Sequence, residues 1–266
     1  MNESELLFTQ ILDCNRADLY LNRDLPLAKD KAALVSSVLR KRCCGEPLQY
    51  ILGKTEFMGW EFMVAPGVLI PRPETEILVE AAVKIAPRRP GAPASQLKVL
   101  DLGTGSGCIA ISLAKFIKNI NVTASDISGE ALEIAKQNAS LNNVEIRFLQ
   151  GDLFSNYDLR PMTYDLIISN PPYVPTAEID TLQPEVRQEP AIALDGGRDG
   201  LDFYRRIIAE APAYLRGEGF LIMEMGFNQC SAIKEIFNSC GKFRIVEVIK
   251  DYTHIDRVIV AKMKSK

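Results

Sequence analysis

The chain has 266 residues, 47% hydrophobic and 24% charged, with a formal net charge of −3. This is ordinary globular composition, long enough for one large domain or a medium domain plus a small one. The slight acidic surplus argues against duplex nucleic acid as the main partner, and no apolar run approaches the ~18 residues of a membrane span.

Residues 1 to about 50 read as helical. "SELLFTQIL" and "KDKAALVSSVLRKRC" carry apolar residues at three- and four-residue spacing. "GEPLQYILG" reads as a short helix with Pro47 in its first turn. The aromatics and glycines of "EFMGWEFMVAPGVLIPRPETE" predict a β-hairpin crossing between domains. "PETEILVEAAVKIA" predicts a helix beginning at Pro73, and the Pro/Ala-rich stretch Pro87 to Gln96 a loop. From Lys98 onward strands and helices alternate. The expected strands are Lys98–Gly103, Val122–Ile127, Val144–Gly151, Tyr164–Asn170, Gly219–Met225, Phe243–Lys250 and Arg257–Lys262. Such alternation predicts an α/β, doubly wound sheet covered on both faces, with ligands outside the carboxyl ends of the strands.

"VLDLGTGSGCIAISLA" is a strand, a glycine loop and a helix. Gly103, Gly105 and Gly107 allow a tight turn and close approach of a ligand. The spacing is G-x-G-x-G, not the G-x-G-x-x-G of dinucleotide sites, and no Lys-Ser/Thr end makes it a P-loop. Asp126 ends the next strand, 23 positions after Gly103, where a carboxylate can hold both ribose hydroxyls. Capping of the following helix is the rival role for Asp126, but Ser128 serves that equally well. Asp152 and Leu153, in "GDLF", suit an adenine: polar contact at its edge, apolar contact at its face. Asp101 precedes the loop and can face an ammonium group. Ribose, adenine and an amino-acid zwitterion together describe S-adenosylmethionine (SAM).

"ISNPPYV" follows the fourth strand, so Asn170, Pro171, Pro172 and Tyr173 face the same cleft. Two prolines stiffen the corner and leave carbonyls free to accept. A nitrogen conjugated to a π system attacks a methyl group poorly because its lone pair is delocalised. The Asn170 side-chain oxygen and the Pro171 carbonyl can accept from both of its N–H groups and stabilise the positive charge that grows on it. Tyr173 can stack on the planar group, and the rigid corner limits reorganisation. A plain tight turn is the alternative for this stretch alone; its company with the glycine loop and Asp126 disfavours it.

Together "DLGTGSG", "DIS", "GDLF" and "NPPYV" resemble a class I SAM-dependent methyltransferase acting on a planar nitrogen. "GEPLQYILGKTEFMGWEFMVAPGVLIPRPETEILVE", "EPAIALDGGRDGLDFYRRII" and the helical start resemble the release-factor glutamine methyltransferase family (PrmC/HemK) over nearly the whole chain. The string "IPRPETE", from Ile70, separates it from the sister family that methylates a ribosomal-protein glutamine. The resemblance implies a Rossmann-like seven-stranded methyltransferase sheet, mostly parallel with the last strand antiparallel, preceded by a small helical domain. It divides the chain into a substrate-recognition domain with hairpin linker at 1–70 and a methyltransferase domain at 71–266. It implies that SAM is the cofactor, held by Gly103, Thr104, Gly105, Ser106 and Gly107 with Asp126 and Leu153. It implies that Asn170 to Tyr173 hold the glutamine of the Gly-Gly-Gln tip loop of class 1 peptide chain release factors, and that the helical domain touches the body of that partner.

Other features carry less. Thr75 or Glu74 can cap the helix that follows them, and Arg72 can close over SAM or the incoming loop. Glu189-Pro190 and Gly196–Gly200 suit a substrate-shaping loop or ordinary turns alike. His254 reads as a surface residue and Trp60 as a core or interdomain anchor. The six cysteines form no C-x-x-C pair and there is one histidine, so a zinc site is not expected, nor is any other metal. Scattered thiols and an acidic start without signal-peptide layout point to the cytoplasm. The rival functions are an amino-methyltransferase acting on another planar nitrogen, in a ribosomal protein or nucleic-acid adenine, and a SAM-binding partner without turnover. The first, on DNA or RNA, needs a basic groove or target-recognition domain, and neither is visible.

Overall fold

Apolar spacing assembles the first helices into their own small core. α1 (Glu3–Leu12) and α3 (Lys29–Cys43) bury Leu7, Ile11, Val35 and Val38 against Leu48 of α4 (Leu48–Leu52). Between them lies α2 (Arg16–Leu21), capped by Asn15, whose side chain accepts from the Asp18 N–H. Its short span has no buried residue, so no apolar periodicity announces it in the sequence. Pro47 stands just outside α4, as its N-cap residue, and Gly53 ends the helix at φ 73°. The structure, a computed structural model, describes residues 3–86, 97–156 and 163–265. The loop expected at 87–96 lies outside them.

The expected hairpin forms from β1 (Lys54–Phe57) and β2 (Trp60–Met63). Met58 and Gly59 both take positive φ, 53° and 80°, the requirement of a type I′ turn. Phe57 and Phe62 meet edge to face beneath it, in a core shared with α5 (Pro73–Ile85). Trp60 is half-buried on the hairpin, with the Lys115 ammonium 4.0 Å from its ring centre.

Seven strands form one sheet: β3 (Leu97–Leu102), β4 (Ile120–Asp126), β5 (Arg147–Gln150), β6 (Tyr164–Ser169), β7 (Leu215–Glu224), β8 (Phe243–Lys250) and β9 (Asp256–Met263). Their spatial order is β5-β4-β3-β6-β7-β9-β8. The last strand is antiparallel to both its neighbours, and the other pairings are parallel. Two strands differ from expectation. The third is confined to Arg147–Gln150, because the Val144 N–H turns back to the Ala139 carbonyl at the end of α7 (Gly129–Leu141). The fifth starts earlier, at Leu215, which pairs with Tyr164 across a register shift. Gly217 and Gly219 sit in this irregular stretch of strand.

Side chains alternate between the two faces of each strand. Val99 packs on one face with α5 and α6 (Cys108–Phe116); Leu100 and Leu102 pack on the other with α9 (Asp202–Glu210) and α10 (Cys230–Cys240). A buried carboxylate inside β6, Asp165, accepts from the Lys98 N–H at 2.8 Å and pairs with Arg216 at 2.5 Å. The hairpin is fastened to α7 by Asn138 and Asn142, which bond backbone groups of Met63 and Glu61. Among the described residues no helix is long and apolar enough to cross a membrane.

Candidate active site

The carboxyl ends of β3, β4, β5 and β6 converge on a cavity of about 270 Å³, near the lower end of the roughly 300–1,000 Å³ range of ligand clefts. Gly103 and Gly105 line it at φ 70° and 55°. A Cβ on either meets no protein atom within 4 Å, so these glycines are needed for backbone conformation and for whatever approaches from the cavity. Gly107 is different. It takes φ 82° as the residue before α6, and a Cβ there meets Ala135 and Ile111 at 3.1 Å. Its role is packing of the loop on α7.

Asp126 stands on the cavity wall, where the sequence puts it. One oxygen accepts from the Gly105 N–H at 2.8 Å and the other from the Ser128 N–H at 2.9 Å. Ser128, not Asp126, caps α7, accepting from the Ala131 N–H. Burial raises the Asp126 carboxyl above its ordinary range, and the backbone donors pull it back.

Asp101, Thr104 and Ser106 lie beneath the loop and are buried; they do not line the cavity. Thr104 Oγ1 donates to Asp101 Oδ2 at 2.6 Å, while Asp101 Oδ1 finds no hydrogen-bond partner. Burial pushes the Asp101 carboxyl up to about 7, with neighbouring Asp126 adding to the rise and the Thr104 hydroxyl opposing it. The Ser106 carbonyl accepts from Asn138 Nδ2 at 2.9 Å.

Asp152 and Leu153 line the next wall, and Leu153 takes φ 51°. Asp152 pairs with Arg206 at 2.7 Å, and Arg206 also faces the cavity beside Phe203. Phe203 and Arg206 occupy positions i and i+3 of α9, hence one face of that helix. Neither was anticipated, nor were Gly67, Val68 and Leu69 or Ile192 on the cavity wall. "PGVLIPRPETE" and "DFYRRII" contain most of them, and only spacing on a helix face could have flagged the α9 pair.

Asn170, Pro171 and Pro172 line the cavity directly after β6. Ser169 Oγ donates to the Leu102 carbonyl at 2.8 Å and ties the ends of β6 and β3 together. Asn170 Nδ2 donates to Thr75 Oγ1 at 3.2 Å. Thr75 is buried in the first turn of α5, and its hydroxyl is directed there rather than into a helix cap. Tyr173 does not line the cavity; it packs on the core formed with α9 and α10. Burial raises its hydroxyl above the ordinary range, and the Glu224 charge adds to this.

The Gly196–Gly200 loop braces this corner from behind. A Cβ on Gly196 would come within 2.8 Å of the Tyr173 Cα, and one on Gly200 within 2.3 Å of the Tyr173 carbonyl oxygen. Gln229 Nε2 donates to that same carbonyl at 2.9 Å. The loop's glycines allow close backbone contact with the Asn-Pro-Pro-Tyr corner. Arg72 is also away from the main cavity. It pairs with the buried Glu189, whose other oxygen accepts from the Ile70 N–H at 3.2 Å. Both line a second cavity of about 330 Å³ together with Glu3, Leu6 and Arg42 of the N-terminal helices. His254 is exposed between β8 and β9.

Known proteins resemble this chain over nearly its whole length. Residues 1–53 match the family model of the PrmC N-terminal domain, and residues 88–194 match the methyltransferase small domain. The release factor glutamine methyltransferase of Geobacter sulfurreducens is 43% identical over 97% of this chain and 87% of its own. That of Koribacter versatilis is 41% identical over 97% of this chain and 90% of its own. A methyltransferase structure from Pyrococcus furiosus superposes with a TM-score of 0.57 at 18% identity, covering 90% of this chain and all of that one, and shares the fold. With close relatives aligned almost end to end, the chain belongs to the release factor glutamine methyltransferase family.

Proposed function

We propose that this chain transfers the methyl group of SAM to the side-chain amide nitrogen of a glutamine, the one in the Gly-Gly-Gln tip loop of class 1 peptide chain release factors. The hydrogen-bond polarity at Asn170 carries the reading. Its Nδ2 donates inward to Thr75 Oγ1, a buried hydroxyl on α5. An amide has two donors on nitrogen and an acceptor oxygen. With the nitrogen engaged inward, Oδ1 is the group offered to the cavity, and an acceptor there suits an incoming –NH₂.

The residues present fit SAM. Asp126 presents a carboxylate to ribose hydroxyls from a cavity wall where two glycines lack a Cβ. Asp152 and Leu153 supply a polar edge and an apolar face for adenine. Asp101, with one buried oxygen unpartnered, suits an ammonium group. When bound, SAM supplies an electrophilic methyl on a sulfonium. The protein's own part is to hold the acceptor. Asn170 Oδ1 and the Pro171 carbonyl accept from the two N–H groups of the glutamine amide, orient its nitrogen and stabilise the positive charge it develops. Pro171 and Pro172 keep both acceptors rigid, so reorganisation is small. The proton leaves to water after the methyl has moved. Tyr173 stacks on the amide plane only if its ring turns out of the core.

Residues 1–70 form the substrate-recognition domain with its hairpin linker, and 71–266 the methyltransferase domain. Arg42 joins them, pairing with Glu3 at 2.5 Å and Glu185 at 3.2 Å. The second cavity at this junction, with Arg72 on its wall, is where the body of the release factor meets the enzyme. The setting is cytoplasmic, and the partner is protein rather than nucleic acid or membrane.

The test is methyl transfer from labelled SAM to three acceptors in parallel: a class 1 release factor, the same factor with its tip Gln changed to Ala, and duplex DNA. Label on the first alone supports the reading. Label on DNA, or on the factor lacking the glutamine, would assign the pocket to another nitrogen.

A further inference from the structure

One buried carboxylate near the site has no part in the chemistry described so far. Glu224 ends β7 and is buried to 1% exposure, with Oε2 lacking a hydrogen-bond partner. Burial of an ionisable group without a role costs stability, so retaining one needs a reason. Ser169 of β6 pairs with Met223 of β7, which sets Asn170 and Glu224 side by side at the ends of these strands, and Thr75 and Asn170 both favour the ionised form of the carboxyl. Thr75 is itself buried and receives Asn170 Nδ2 at 3.2 Å. Three side chains from three elements, α5, β6 and β7, thus meet behind the Asn-Pro-Pro-Tyr corner.

A carboxylate only accepts, whereas a hydroxyl and an amide can each donate or accept. Placed at the end of the chain, the carboxylate sets the direction of every bond in it. Asn170 Nδ2 donates inward to Thr75 Oγ1; a Thr75 hydroxyl turned to the carboxylate keeps that direction and leaves Asn170 Oδ1 outward. We infer that Glu224 is a positioning residue for methyl transfer: with Thr75 it holds the Asn170 amide so that Oδ1, and not Nδ2, meets the acceptor nitrogen. The reversed amide would present N–H to N–H, and the acceptor could not be held. The inference rests on the reading of Asn170 as the acceptor-holding group.

The charges around Glu224 bear on its protonation. Arg257 favours the carboxylate, though Arg257 is itself held by Asp251 at 2.8 Å; Glu74 opposes it. Tyr173, Tyr204 and Cys108 also face it, each with burial raising its own group. Tyr204 donates its hydroxyl to the Glu224 backbone carbonyl at 2.9 Å. Protonation of Glu224 turns a fixed acceptor into a donor and releases the polarity of the chain.

The experiment compares the full-length wild type with Glu224→Gln, Thr75→Val and Thr75→Ser, using labelled SAM and a purified class 1 release factor from pH 5.5 to 9. Expected are a fall of roughly ten- to a hundredfold in kcat for Glu224→Gln and Thr75→Val, unchanged SAM affinity by calorimetry, and activity restored in Thr75→Ser. Wild-type kcat falls on the acid side, and Glu224→Gln loses that limb. Alongside, the side-chain amide signal of Asn170, identified by its loss in Asn170→Ala, is followed by NMR. It should move with pH in the wild type and stay still in Glu224→Gln, whatever the methyl acceptor. If wild type labels no release factor, the proposed function fails, and the NMR titration still decides the network. An Asn170 signal that ignores pH in the wild type, or a Glu224→Gln enzyme with wild-type kcat and pH profile, overturns the inference.

Discussion

Asn138 holds both backbone groups of Met63: its Oδ1 accepts from the Met63 N–H at 2.6 Å and its Nδ2 donates to the Met63 carbonyl at 3.0 Å. The same nitrogen reaches the Ser106 carbonyl at 2.9 Å. One fully buried side chain therefore joins the hairpin linker to the glycine loop. Replacing it with Ala leaves buried backbone groups unpaired. Asn138→Ala should lose about 2–3 kcal/mol of stability, measured by urea denaturation. A loss below about 0.5 kcal/mol would mean water or a shifted neighbour replaces the side chain.

Asn170→Ala should leave SAM affinity near the wild-type value and lower turnover by about 10²–10³-fold, as removal of one positioned transition-state contact does. Calorimetry with SAM and single-turnover methylation separate the two. Equal loss of binding and turnover would show the residue belongs to the cofactor site.

Asp126→Ala should act the other way. It removes a carboxylate that accepts from Gly105 and Ser128 N–H groups and faces the cavity. Loss of charged hydrogen bonds worth about 1.5–3 kcal/mol raises the Kd for SAM roughly 10- to 100-fold. Unaltered affinity would refute the ribose role.

Arg72→Ala leaves the Glu189 carboxylate, 1% exposed, without its cation. The pair is partly open on the arginine side, so the cost is about 2 kcal/mol, below the range for a fully buried pair. Because both residues line the cavity at the domain junction, KM for the release factor should rise more than KM for SAM. Steady-state kinetics with each substrate varied in turn checks this.

Stability and activity should respond to acid in opposite directions. Burial pushes the carboxyls of Asp101 and Glu224 up to about 7, against ordinary values of 3.8 and 4.5. Between those values and 7 the folded protein binds more protons than the unfolded chain. Their contribution to stability is thus present at low pH and lost as pH rises through about 7. The cofactor-free protein should melt on the order of 5 °C higher at pH 6 than at pH 8, by differential scanning calorimetry. A melting temperature that climbs from pH 6 to pH 8 would contradict this.

Much of the site could be read along the chain because an α/β sheet puts its working residues at fixed local addresses. The glycine loop after β3, Asp126 at the end of β4, Asp152 after β5 and Asn170 after β6 each mark the end of a strand recognisable in the sequence, and all face one cavity. The seven strands and the antiparallel last one were likewise legible, from alternation and from family resemblance. The short α2 was not, because a helix without a buried face leaves no periodic trace.

The sequence by itself determined which residue types stand at the strand ends, and with them the chemistry we propose: a carboxylate for a ribose, two acceptors for a planar nitrogen. Only the tertiary structure decided what stands behind them. Thr75 lies 95 positions from Asn170, Asn138 lies 75 from Met63, and Arg206 lies 54 from Asp152. No local pattern marks such pairs. They arise from the order of strands in the sheet and the way helices pack across it, which bring side chains together regardless of their distance along the chain.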